Sequence, residues 1–155
     1  MTTRTARRSA PRAPKESRHR GREAALQMLY QWEVGRVDIP DVQRTFWLHD
    51  PGGAGALSDD LRAFAERLAA GAAAAVTESD PMIAEAAEHW RLERMNVMDR
   101  LILRLAVYEF VHEAGTPSRV IINEALELAR TFSGDDSVRF INGVLDAVRR
   151  RLQRE

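Results

Sequence analysis

Cysteine is absent from the 155 residues, which excludes disulfides, thiolate-ligated metal and thiol catalysis. Aromatic residues make up only 6% of the chain. The four histidines, His19, His49, His89 and His112, are scattered and never spaced i, i+4, so no helical metal pair exists. Long apolar runs are missing too. The most apolar stretch, Leu101 to Val111, is broken by Arg104 and Glu109 and is too short to cross a membrane. The basic N-terminus has no apolar segment behind it, so it does not read as a secretory signal. Gly52-Gly53-Ala54-Gly55 lacks the following Lys-Ser/Thr of a phosphate loop, and no Gly-x-Ser-x-Gly occurs. Nothing converges on a catalytic site, a metal or a cofactor. Net charge is also lacking: 23 basic residues balance 23 acidic ones.

That balance hides a segregation. Residues 1–22 carry eight basic groups and one acid, a net +7, and residues 23–155 carry fifteen and 22, a net −7. An acidic body with a basic arm points to an anionic partner.

Apolar spacing predicts an all-α chain of about seven helices with no strand pattern. Residues 1–16, with Pro11 and Pro14 and no periodicity, read as a disordered arm, and residues 17–155 as a single helical domain. The first helix runs from about Ser17 to Gly35, with Ala25, Met28, Leu29 and Trp32 inward. A short helix is expected over 40–49. Ser58 caps a helix reaching about Thr77, and Asp80-Pro81 signals a restart that reaches about Trp90. Asn96 caps a fifth helix, apolar nearly all round and therefore central, with Asp99 at its third position. Residues 119–132 form a sixth helix. A seventh is capped by Asp135, Asp136 or Ser137 and turns Phe140, Ile141, Val144, Leu145, Val148 and Leu152 inward. Gly143 in that helix is expected to admit another helix backbone. Arg104 on the apolar fifth helix needs an acidic or carbonyl partner.

The sharpest feature is Arg18-His19-Arg20-Gly21-Arg22 at the expected start of the first helix. Cations are disfavoured at that end of the dipole, and they make sense there if an anion sits before them. A solvated basic tail is the alternative. Tyr30 follows in the same helix, and a basic patch beside a ring suits unstacked single-stranded bases. An aromatic on a helix is more often core, so a core role for Tyr30 stays open at this point.

Three blocks carry a family likeness. Residues 22–33 (REAALQMLYQWE) resemble the first helix of the NusB transcription antitermination family. Residues 94–109 (RMNVMDRLILRLAVYE) resemble its central helix. Residues 122–130 (INEALELAR), 136–137 (DS) and 140–146 (FINGVLD) resemble its C-terminal hairpin. The resemblance implies two small helical subdomains and a cytoplasmic bacterial factor without catalytic activity. It implies binding of boxA RNA in ribosomal RNA transcripts together with NusE, a ribosomal small-subunit protein, and action on elongating RNA polymerase. The RNA surface it implies comprises Arg18, His19, Arg20, Arg22, Tyr30, Asp136, Ser137, Arg139 and Phe140, and the NusE surface Glu93 and Asp99. Self-association into a homodimer is a further partner reading. An accessory RNA-binding domain, related to those of RNA cytosine methyltransferases, is the alternative function.

Overall fold

The computed structural model describes residues 14–49, 57–88 and 90–155. The arm up to residue 13, the glycine-rich loop at 51–55 and His89 lie outside them. Within the described residues the chain folds as seven α-helices and no strand, as the periodicity predicts. They are α1 (Pro14–Glu33), α2 (Ile39–Phe46), α3 (Asp59–Ala74), α4 (Val76–Ala87), α5 (Val97–His112), α6 (Ser118–Phe132) and α7 (Asp135–Arg151). Single 3₁₀ turns follow α2 at Trp47–His49 and precede α5 at Leu92–Arg94.

Helix α5 is the hub. It packs against α1 and α3 on one side and α4, α6 and α7 on the other. Its Leu101, Ile102, Leu103, Leu105, Ala106, Val107 and Phe110 are all buried, which is why the helix is apolar nearly all round. The two groups, α1–α3 and α4–α7, share one continuous core through it.

Two helix starts follow the expected chemistry. Ser58 Oγ accepts from the Leu61 amide, and Asn96 Oδ1 accepts from the Met98 amide at 2.8 Å and the Asp99 amide at 3.4 Å. Others depart from it. Helix α1 opens at Pro14, with proline in the first turn where no N–H is needed. Arg18 to Arg22 therefore lie beyond the free amides of the helix start and cannot combine with them on one anion. Helix α7 has Gly134 at its cap and no side-chain cap; Asp135 and Asp136 sit in its first turn.

The break between α3 and α4 falls at Ala75, and Pro81 lies inside α4 rather than at its start. Asp80 is not a cap. It accepts two hydrogen bonds from Arg104 Nε and Nη2, both 2.9 Å, while Arg104 Nη1 reaches Glu33 at 3.4 Å. Burial alone would lower the Arg104 pKa, but the hydrogen bonds and charge of Asp80, with Glu33 behind, hold it above the usual arginine value. Arg100 also bonds Glu33, at 3.0 Å. One acid at the end of α1 thus joins two arginines of α5.

Two glycines on helices have opposite meanings. A Cβ on Gly71 would lie 2.2 Å from the Tyr108 ring, so the end of that ring packs over α3 only because the position is bare. Gly71→Ala should destabilise by about 1–3 kcal/mol through overpacking, read by chemical denaturation. Gly143 meets nothing within 4 Å among the described residues and is exposed, so none of the seven described helices approaches it, contrary to the expectation from sequence. It costs the helix about 1 kcal/mol relative to alanine with no return inside the fold.

Candidate nucleic-acid interface

The residues singled out from sequence fall at two clefts and on the helix faces between them. The first cleft, of about 460 Å³, opens where α1 begins to pass α6. Arg18, Arg22, Arg119, Asn123 and Glu124 line it, with the 115–117 loop. That loop is fixed from behind by Arg154, which donates to the carbonyls of Phe110, Glu113 and Thr116 and to Ser118 Oγ at 2.8–3.0 Å.

The arginines of α1 do different work. Arg18 is exposed, with its guanidinium stacked 4.8 Å from the Phe64 ring centroid. Stacking leaves its N–H groups available at the edge. Arg20 is half-buried. Arg22 points inward and is only 3% exposed. It donates from Nε and Nη2 to Glu109 of α5 at 2.9 and 2.8 Å, with Glu124 of α6 at 3.9 Å. Burial opposes its charge, yet the hydrogen bonds and charge of Glu109 raise its pKa above the usual value. Arg22 thus forms a core ion pair instead of the phosphate grip expected from sequence: its donors are committed to Glu109. His19 sits between two carboxylates, Nδ1 2.7 Å from Glu124 and Nε2 3.2 Å from Glu23.

The second cleft, of about 430 Å³, lies where the end of α4, the start of α5 and the start of α7 meet. Its lining includes Trp90, Arg94, Asn96, Asp99, Asp136, Ser137 and Phe140. Phe140 is half-buried and meets Trp90 edge-on, ring centroids 6.0 Å apart. Trp90 is 54% exposed, so an aromatic face stands open to solvent. Asp136 is fully presented and pairs with Arg139 at 2.6 Å, an exposed i, i+3 contact of little energetic weight.

Asp99 is buried. Its two oxygens accept from Ser133 Oγ at 2.9 Å and Ser137 Oγ at 3.0 Å. The carboxylate neither closes a capping box nor faces outward. Glu93, by contrast, is exposed on the 3₁₀ turn, 3.8 Å from Arg91. Tyr30 is 42% exposed on α1 and lines neither cleft. Ser137, Asp136 and Phe140 therefore come together with Asp99, while Arg18 and Arg22 meet at the other cleft.

Sequence reasoning passed over Trp90, Arg94 and Arg119. Arg119 carried the same signal as Arg18, a cation close behind a helix start. Trp90 carried a weaker one, a lone ring just past a helix end. Among the described residues no group of three or more His, Asp or Glu side chains is placed to hold a metal, and no helix is long and apolar enough to cross a membrane.

A helical bundle with exposed arginines at one cleft and open aromatic rings at another has the surface of a binding protein. The model of the NusB family matches residues 19–150, and the chain belongs to the NusB family. The transcription antitermination protein NusB of Koribacter versatilis is 46% identical over 139 residues, spanning 90% of this chain and 92% of its own. That of Symbiobacterium thermophilum is 45% identical, spanning 88% and 92%. Among solved structures, T. maritima NusB is similar with a TM-score of 0.74 at 31% identity, covering 86% of this chain and 90% of its own. A complex of antitermination factors NusB and NusE with double-stranded RNA is similar with a TM-score of 0.77 at 20% identity, a likeness of fold, covering 88% and 98%.

Proposed function

We propose that the protein is an RNA-binding transcription antitermination factor that acts by binding alone and catalyses no reaction. It works in the bacterial cytoplasm, takes boxA RNA together with NusE, and joins the elongating RNA polymerase. The observation that carries this reading is the pair of exposed arginines, Arg18 and Arg119, at the mouth of the cleft between α1 and α6. Membership in a family whose relatives bear the antitermination name supports it.

In this reading Arg18, Arg20 and Arg119 hold phosphates and set affinity, as sequence-independent contacts do. The open face of Trp90, with Tyr30 and the edge of Phe140, takes unstacked bases. Asp136 accepts from a base or sugar donor. Exposed Glu93 faces NusE, and the net −7 of residues 23–155 suits a basic ribosomal protein.

The experiment is a titration of fluorescent boxA RNA, with and without NusE, at several salt concentrations. NusE should tighten binding. Arg18→Ala with Arg20→Ala should weaken it and reduce the salt slope by about two, one per phosphate lost. Arg22→Ala should leave the slope unchanged, since its guanidinium is committed to Glu109. An unchanged slope in the double variant, or no gain from NusE, would sink the reading.

A further inference from the structure

Gly143 is a residue the fold does not use. It sits in the middle of α7, exposed, and an added Cβ would touch nothing. A bare, exposed helical position lets the backbone of something outside the molecule come close. Asn142 beside it is also exposed and has no side-chain partner among the described residues. Its amide offers two donors and an acceptor.

The surroundings decide what comes close. The neighbours on this face are Arg139 one turn before, half-buried Asp146 one turn after and exposed Arg150 two turns after. No large apolar side chain is exposed near them on α7 before Leu152. A docked protein helix would want an apolar centre there, which is missing. A sugar–phosphate backbone wants arginine at intervals and a polar amide at its 2′-hydroxyls. Arg139 is held by the exposed Asp136, and Arg150 by the half-buried Asp146, whose other oxygen accepts from Arg149. Surface pairs of this kind contribute little, so either arginine can turn to a phosphate. The face also continues the second cleft: Phe140 lies three residues before Gly143 on the same helix.

The geometry points to the Asn142–Gly143 face of α7 as a backbone track for RNA, on which a strand leaving the Trp90–Phe140 cleft runs directly over the bare position. This rests on the RNA-binding reading above and extends it beyond both clefts.

The test uses Gly143→Ala, Gly143→Gln and Asn142→Ala in the full chain, with melting temperature and boxA RNA affinity measured on the same samples. Alanine and glutamine are better helix formers than glycine, so both Gly143 variants should melt about 2–4 °C higher. RNA affinity should nevertheless fall, about threefold for alanine and about tenfold or more for glutamine, where each factor of ten is 1.4 kcal/mol. Asn142→Ala should weaken RNA by about threefold, the worth of one hydrogen bond, at a melting temperature no lower than wild type, since alanine also forms helix better than asparagine. A variant that is more stable yet binds less well cannot be explained by a structural role. Higher melting temperatures with wild-type RNA affinity would overturn the track while leaving the RNA reading intact, since Arg18→Ala with Arg20→Ala would still bind weakly. Loss of NusE binding alone would assign the face to a protein and overturn the proposal. Failure of the wild-type chain to bind RNA would remove both.

Discussion

Glu109→Ala is expected to destabilise the protein by about 3–5 kcal/mol, because it leaves a guanidinium buried without its carboxylate. For a chain of this length that is a fall in melting temperature of about 10 °C. Arg22 is 3% exposed and Glu109 2%, so water cannot replace the lost partner. Glu124 stands 3.9 Å from Arg22 and offers some charge compensation, but its near oxygen is already 2.7 Å from His19. The pair also ties α1 to the hub helix across 87 residues of sequence. Replacing both members, Arg22→Met with Glu109→Leu, should recover most of the loss, since apolar side chains of similar size avoid the cost of desolvating two ions. Urea unfolding followed by circular dichroism measures all three. A Glu109→Ala protein within 1 kcal/mol of wild type would show that the buried arginine finds another partner. Substitutions along α1 should divide in the same way: removal of Arg22 acts on the fold, and removal of Arg18 or Arg20 acts on RNA.

That separation was open to reading from the sequence. Arg22 is three residues before Ala25 and seven before Leu29, so it lies on the same inward stripe as these buried residues. By charge alone the three arginines form one patch; the helix face each occupies divides them. The helices themselves were legible because their apolar spacing is strong: α5 and α7 begin and end within a few residues of expectation. The division of α3 from α4 was not. The alanine-rich run from 69 to 75 carries only Gly71, four residues before the break, whereas Asp80-Pro81 has the composition of a helix start. Tertiary pairing overrides it, since Asp80 is needed inside α4 to meet Arg104. Pairs such as Arg22–Glu109 and Arg104–Asp80 have no local signature, as complementary charges anywhere in the chain would serve. Trp90 escaped for a related reason: its exposure and its contact with Phe140 depend on how two distant helix ends meet.

Asp99→Ala should cost about 3 kcal/mol, the sum of two hydrogen bonds to a charged acceptor at about 1.5 kcal/mol each. The family likeness marks Asp99 as a partner contact, but its carboxylate is turned inward to Ser133 and Ser137. Those two hydroxyls bracket the junction between α6 and α7, and Gly134 at the cap of α7 supplies no side chain of its own. The first turn of α7 is therefore held from α5, by one buried carboxylate. Asp136 and Phe140 depend on that turn for their positions at the second cleft. Asp99→Ala should accordingly lower RNA affinity as well as stability, with Asp99→Asn intermediate in both because the amide oxygen still accepts from one serine. Ser133→Ala with Ser137→Ala removes the donors instead, and leaves the buried carboxylate without either of its side-chain partners. It should reproduce the loss of stability, and it should leave NusE affinity measured without RNA unchanged if Asp99 supports the site rather than touching the partner. A fall in NusE affinity on Asp99→Ala that the serine double variant does not share would place the carboxylate at the protein interface after all. Equal effects from both sides of the hydrogen bonds would assign it to the support of α7.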